Sequence, residues 1–249
     1  MILYFLLFVI SFHAIADDDF FSDDTVDTTQ QEKNYYDPLE KINRGTFWVS
    51  SLLTKGVILP IANVYKHTIP QKIQPNILSF TGNVTTLFTL PYASLIPHKP
   101  LFIENSSIFM TNSIFGFFGF FDIHSRYIQS SQIDTSLDNI TQYYSPVKLP
   151  YLFLPWGPGN IIAGPIDFQG QIYFRSIFPR EIWFASFIGI ITQFSTNYDI
   201  IYDGLYNSVN PYAVTRNVYY SLQKRNIERI KQSRYEHTKY QTLLPDGFL

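Results

Sequence analysis

From Asn105 to Phe121 the chain carries no charged residue, and apolar side chains dominate the run. Phe102, Ile103, Ile108, Phe109, Met110, Ile114, Phe115, Phe117, Phe118, Phe120 and Phe121 would cover most of the circumference of a helix drawn through it. An element apolar nearly all round must be buried or must face lipid. Asn105, Asn112, Gly116 and Gly119 follow at steps of seven, four and three, so a continuous helix would gather them into one narrow small-and-polar stripe. Such a line on an apolar rod points either to another backbone packed closely against it or to a wet conduit.

Two further stretches share this character. Ile182 to Tyr198 is uncharged, but Ser186, Gly189, Thr192, Gln193, Ser195 and Asn197 interrupt it, and it falls short of the roughly 20 residues a span needs. A helix lying in one leaflet, or a re-entrant hairpin, is expected there. Leu149 to Ile166 is also uncharged, with prolines at 150, 155, 158 and 165 and glycines at 157, 159 and 164. It cannot be a regular helix, and open backbone is tolerated at membrane depth only where protein or trapped water satisfies it. Its Tyr151, Phe153 and Trp156 are of the aromatic kind found at membrane interfaces. Charged residues amount to 15% of the chain, against about 25% in an ordinary soluble domain, while aromatics reach 18%. This balance suits a surface partly solvated by something other than water. With no cysteine in the sequence there is no disulfide, thiolate metal site, cysteine nucleophile or acylated cysteine anchor.

The N-terminal part is different. Residues 1–16 hold an apolar run ending in Ala14-Ile15-Ala16, which reads as a secretory signal peptide; a retained anchor is the rival, and its run is short for a span. Residues 17–36 carry Asp17, Asp18, Asp19, Asp23, Asp24, Asp27 and Glu32 against Lys33 alone, an acidic flexible tether with little to bury. The formal charge of the whole chain is −2, so the remainder is net basic. That basic charge gathers at Arg216, Lys224, Arg225, Arg229, Lys231, Arg234 and Lys239. A helical membrane domain is expected over 37–240, followed by a C-terminal tail at 241–249.

Helix signals are clear at several points. Asp37 as N-cap, Pro38 at the first helical position and Glu40 three residues on form a capping box. Ile73, Ile77, Phe80, Val84 and Leu87 make an apolar stripe whose plainest reading is core packing. Asn210-Pro211 opens a long polar helix running to about residue 239, expected to be solvated. Catalytic patterns are missing: there is no G-x-S-x-G, P-loop, G-x-G-x-x-G or H-E-x-x-H, and His67, His98, His124 and His237 lack metal-ligand spacing. Asp122, His124 and Ser125 are the sole hint of a hydrolase, with poor triad geometry for near neighbours in sequence. No catalytic residue, metal, cofactor or nucleic-acid partner is expected.

Asp37-Pro38-Leu39-Glu40, Asn43-Arg44, Phe47, Pro60, Ala62, Tyr65 and Pro70 together resemble the opening of the MlaA (VacJ) family of outer-membrane proteins. The resemblance continues through Phe80 and Asn83, Asn112-Ser113-Ile114-Phe115-Gly116 with Gly119 and Asp122, Leu154-Pro155 with Gly157-Pro158, and Asn210-Pro211-Tyr212 with Arg216, Tyr219 and Arg225. It implies an all-α fold: a ring-like arrangement of short amphipathic and apolar helices embedded in one membrane leaflet, with a polar C-terminal helix. It implies removal of mislocalised phospholipid from the outer leaflet of the outer membrane, transfer to a periplasmic carrier, the MlaC protein, and association with a trimeric porin. Localisation would be the periplasmic side of the outer membrane. Asn105, Asn112, Gly116 and Gly119 are then candidates for the lipid conduit or its packing seam. Asp37, Pro38, Glu40, Asn43, Arg44, Asn83, Asp122, Gly157 and Pro158 are structural motif positions.

Three departures qualify the likeness. The cysteine of a lipoprotein is missing, an acidic, glycine-containing segment is not evident between Asp134 and Tyr144, and Asn160 to Asp167 lacks the Arg-Asp that often follows the Gly-Pro stretch. The alternatives are a transmembrane β-barrel, for which the ten-residue alternation is not found, a membrane-surface phospholipid hydrolase, and a structural outer-membrane protein without transport activity.

Overall fold

The computed structural model describes residues 37–95, 99–128, 133–154, 157–166 and 180–243. The expected signal peptide and tether lie outside these, as do Asp167 and the last six residues. The described chain is almost wholly helical. In order, it comprises α1 (Glu40–Leu53), α2 (Leu59–Thr68), α3 (Gln74–Ala93), α4 (Lys99–Ile114), α5 (Ile123–Ile128), α6 (Leu137–Tyr144), strands β1 (Tyr151–Leu154) and β2 (Gly157–Asn160), α7 (Arg180–Thr196), α8 (Tyr198–Tyr202) and α9 (Pro211–Leu243).

The first helix departs from the capping-box expectation. It begins at Glu40, preceded by Leu39 with no side-chain cap bond. Only the Asp37 carbonyl serves the helix start, accepting from the Glu40 N–H at 3.3 Å. The Asp37 carboxylate turns inward instead, where a buried cation and a phenol compete successfully for it. A π-helical turn, Thr54–Ile58, then joins α1 to α2 without a break. The wider turn lets Pro60 enter at the start of α2, where its missing N–H interrupts little. Glu40–Thr68 is thereby one 29-residue helix, long and apolar enough to cross a membrane.

The uncharged run after Asn105 is corrected too. Helix α4 stops at Ile114 and residues 115–120 form a tight turn. Phe117 and Phe118 take left-handed backbone angles (φ 53° and 58°), and Gly119 follows at φ 91°. Backbone bonds Gly119 N–H to Asn112 O (2.8 Å) and Phe121 N–H to Gly116 O (2.8 Å) close the turn. The four stripe residues therefore do not lie along one helix.

Helix α3 packs between α4 and α7, and α7 also lies along α2. Ile190, Ile191 and Phe194 of α7 meet Ile58, Leu59 and Ala62 in one apolar cluster. Gly189 permits the close crossing of α7 with α3, since a side chain there would strike Thr81. The proline-rich stretch forms an antiparallel hairpin in the register Tyr151↔Asn160 to Leu154↔Gly157. Four-residue strands are marginal alone, and α1 supports their edge. Asn43 donates to Tyr151 O at 3.0 Å and accepts from Phe153 N–H at 2.8 Å, as a neighbouring strand would. Helix α9, expected to be solvated, instead buries one face over residues 212–230. Tyr212, Ala213, Arg216, Tyr219, Tyr220, Leu222, Gln223, Asn226 and Ile230 are all buried.

Candidate lipid-facing surface and its buried polar frame

Polarity is turned inside out along much of the structure. Trp48, Leu52, Ile61 and Val64 of the long first helix are exposed, as are Phe102, Ile103, Met110, Ile114, Phe115, Phe117, Phe118 and Phe121. Phe115 and Phe117 are each 73% exposed. On α3 the expected core stripe is partly reversed: Ile73 and Leu87 are exposed while Gln74, Thr81, Asn83 and Thr86 are buried. An apolar patch of this extent marks a surface that meets lipid or another protein.

Inside, polar side chains are paired in three frames. In the first, the Asp37 carboxylate accepts from the Tyr212 hydroxyl and from Asn43 Nδ2 at 3.0 Å, and lies 3.5 Å from Arg216 Nη1. The Asp37 and Arg216 side chains are 1% and 6% exposed. Burial, then the hydrogen bond and the charge of Asp37, pushes the Tyr212 hydroxyl well above its ordinary range. Phe47, Phe153 and Tyr212 pack edge-on around this pair, with Phe47 5.3 Å from Phe153 and 5.7 Å from Tyr212. Arg44, paired with Glu40 at 2.7 Å, lies 4.6 Å above the outer face of the Tyr212 ring. Pro38 stands exposed just before the helix.

The second frame centres on Asp138 of α6. It accepts from the Asn160 N–H (2.7 Å), the Tyr219 hydroxyl (2.9 Å) and Gln223 Nε2 (2.8 Å), tying the hairpin to α9. Burial raises its carboxyl above the usual carboxylate range, although these donors pull the other way. Gly157 and Pro158 begin the second strand of that hairpin.

The third frame holds the stripe residues. Asn105 donates to Ile133 O at 2.9 Å and accepts from Ile133 N–H at 3.3 Å, pinning the segment before α6. Asn112 donates to Asp122 Oδ1 at 3.0 Å and accepts from His124 N–H at 2.9 Å. Asp122 also accepts from Ser125 N–H at 3.1 Å, capping the start of α5. Asn83 reaches Ser113 Oγ at 2.8 Å and Phe118 O at 3.2 Å. Gly119 packs directly on the Asn83 side chain, and Gly116 on the Phe121 carbonyl. The side-chain amides of Asn105, Asn112 and Asn83 are thus engaged by neighbouring backbone and side chains. Sequence reasoning missed Asp138, since a single acid carries no spacing signal, and read Tyr151 as an interface aromatic, whereas it is fully buried; Tyr219 entered only through the family resemblance.

The sequence pattern of the family described as MlaA lipoprotein matches residues 35–227. The chain belongs to that family. Among curated relatives, an uncharacterized protein of Rickettsia bellii is 24% identical over 219 residues, covering 86% of this chain and 85% of the relative. Uncharacterized proteins of Rickettsia typhi and Rickettsia prowazekii are 32% and 31% identical over 120 residues, 48% of this chain and 47% of each relative. The chain spans about half the length of these two curated relatives in the match. A solved structure described as the structural basis for maintenance of bacterial outer membrane lipid asymmetry aligns with a TM-score of 0.60 at 23% identity, covering 78% of this chain and 100% of that one. The MlaA fold is thereby shared. The sequence of this MlaA-family chain contains no cysteine.

Proposed function

We propose that this chain is a non-enzymatic component of outer-membrane phospholipid transport, which removes mislocalised phospholipid from the outer leaflet and passes it toward a periplasmic carrier resembling MlaC. The work maintains lipid asymmetry, and a trimeric porin is the expected membrane partner. The observation that carries this reading is the inverted polarity: exposed Phe115, Phe117, Phe118, Trp48 and Leu52 around a buried frame of Asn, Asp, Tyr and Arg. Such a body is solvated by acyl chains outside while its interior can accommodate polar groups without a large desolvation cost. Family membership supports the general role, and the likeness to the lipid-asymmetry structure supports the fold on which it depends.

Within this reading Asn105, Asn112, Gly116 and Gly119 belong to the packing seam of the wall rather than to its wet lining, because their polar atoms and close approaches are used internally. The remaining motif residues Asp37, Asn43, Arg44, Asn83 and Asp122 hold the wall in shape. Residues 1–16 act as the export signal and 17–36 as the tether.

The test is complementation. A strain deleted for its own MlaA-family gene is given this chain, and outer-leaflet phosphatidylethanolamine is measured with an impermeant amine-reactive probe. Restoration of low surface labelling is expected. Unchanged labelling, with the protein present in the outer membrane, would overturn the transport reading.

A further inference from the structure

The buried end of α9 gathers more positive charge and more unused hydrogen-bonding capacity than the Asp37 pair accounts for. Arg216 spends Nη1 on Asp37, but its Nε has no hydrogen-bond partner although the side chain is 94% buried, 6% being exposed. The hydroxyl of Tyr151, a residue with no exposure at all, is likewise unpartnered. An isolated buried donor of this kind costs on the order of 1–3 kcal/mol, more when charged, and calls for an unseen acceptor. The two lie in one aromatic nest: Tyr151 is 6.2 Å from Tyr212 and 5.9 Å from Tyr220, and the Arg216 guanidinium is 5.6 Å from the Tyr212 ring.

A second cation guards the entrance. Lys148, on the exposed segment leading into β1, places Nζ 3.4 Å from the centroid of Tyr220. Partial burial, and then the nearby Arg216 charge, holds its ammonium below the usual 10.5. Lys148 and Arg216 repel one another, and the carboxylate beside Arg216, Asp37, is already engaged by Tyr212 and Asn43. An acceptor anion would relieve the repulsion and satisfy the orphan donors together. A phosphate suits both a guanidinium and a flexible ammonium.

We propose that Lys148, Arg216 and Tyr151 form a recognition site for a phosphate group, entered past the exposed Lys148. The assignment of that phosphate to a phospholipid head rests on the transport reading; the same donors would take a free phosphate ion. In either case Lys148 is the group that first meets the anion, and the Tyr151 hydroxyl and Arg216 Nε receive it beneath.

The experiment uses the full chain purified in an uncharged detergent. Binding of dihexanoyl-phosphatidylglycerol, of inorganic phosphate and of phosphate-free dihexanoylglycerol is measured by calorimetry, for the wild type, Lys148→Gln, Lys148→Arg and Tyr151→Phe. Arg216 is left intact because its loss would unbalance a buried pair. The phosphate-bearing lipid is expected to bind at least tenfold more weakly to Lys148→Gln, several-fold more weakly to Tyr151→Phe, and near wild-type affinity to Lys148→Arg. If inorganic phosphate shows the same dependence, the site reads the anion itself; if only the lipid does, it reads the headgroup in its membrane setting. Equal binding of the phosphate-free lipid, or indifference to all three variants, would overturn the proposal. Outer-leaflet clearance is measured on the same variants. A wild type that binds phosphate in this way but clears no phospholipid would sink the transport reading and leave the site standing.

Discussion

Asp37 and Arg216 meet at 3.5 Å with almost no exposure of either side chain, joining the approach to α1 to the second turn of α9. The pair closes the described fold between its first and last helices, and Tyr212 and Asn43 complete the coordination of the carboxylate. Removing one partner leaves the other charge buried without compensation.

Asp37→Ala should therefore lower stability by about 3–5 kcal/mol. Asp37→Ala combined with Arg216→Met should recover a large part of that loss. Thermal unfolding in detergent, followed by circular dichroism on the four members of the cycle, provides the check. Additive effects of the two substitutions would contradict the pairing.

Gly119 and Gly45 should answer oppositely to alanine. At Gly119 the backbone is left-handed and the added methyl strikes the Asn83 side chain, so a loss of about 1–3 kcal/mol is expected. Gly45 lies inside α1 with nothing within 4 Å of the new atom. Alanine there should be neutral or stabilising by up to about 1 kcal/mol. Melting curves of both variants, side by side, decide the matter.

Asn112→Leu removes the acceptor for His124 N–H and the donor to Asp122. A destabilisation of about 1–3 kcal/mol is expected from the orphaned groups. Lipid clearance should fall as well, while membrane insertion is kept. Full stability together with lost clearance would instead make Asn112 part of the conduit lining.

The exposed turn offers a direct test of lipid contact. Phe115, Phe117 and Phe118 are all more than two-thirds open, at 73%, 73% and 67%. Each phenylalanine moved from water into hydrocarbon is worth about 1.5–3 kcal/mol, so replacing all three by serine should weaken vesicle association by well over tenfold. Flotation with phosphatidylethanolamine–phosphatidylglycerol vesicles measures it. Unchanged flotation of the folded variant would show that the turn does not touch the bilayer.

Asp138 predicts a pH dependence of definite sign. Burial holds its carboxyl above the ordinary 3.8, so this group favours the folded state below that value, and the benefit is lost as pH rises through the higher folded-state value. Relative to Asp138→Asn, the wild type should lose stability as pH rises above about 4, by no more than about 1.4 kcal/mol per pH unit. A wild type that gains on the variant over that range would refute the assignment.

Much of the architecture was legible in the residues. The helix opening at Asn210-Pro211 shows because Asn210 Oδ1 does accept from Ala213 N–H at 3.2 Å, a local bond that local sequence dictates. That Leu149 to Ile166 is not one regular helix follows from its prolines alone, and the strands of the hairpin occupy 151–154 and 157–160. Where reading failed, a distant partner outbid a local one. Asp37 is a sound N-cap by composition, but Arg216 and Tyr212 draw its carboxylate inward. The Asn105 to Gly119 stripe presumes an unbroken helix, whereas Asn83 and the Phe121 carbonyl receive the two glycines in a turn.

The sequence by itself determined that the chain is helical, charge-poor and suited to lipid, because hydrophobic periodicity, proline placement and composition act over a few residues at a time. Only the tertiary structure decided which polar groups lie inside: that Asp138 faces Tyr219 and Asn160, that Asn43 completes the edge of a strand, and that α9 buries one face over residues 212–230 rather than standing as a solvated arm. A buried polar atom is worth keeping only beside its partner, and that partner comes from an element far along the chain, where no local pattern can announce it.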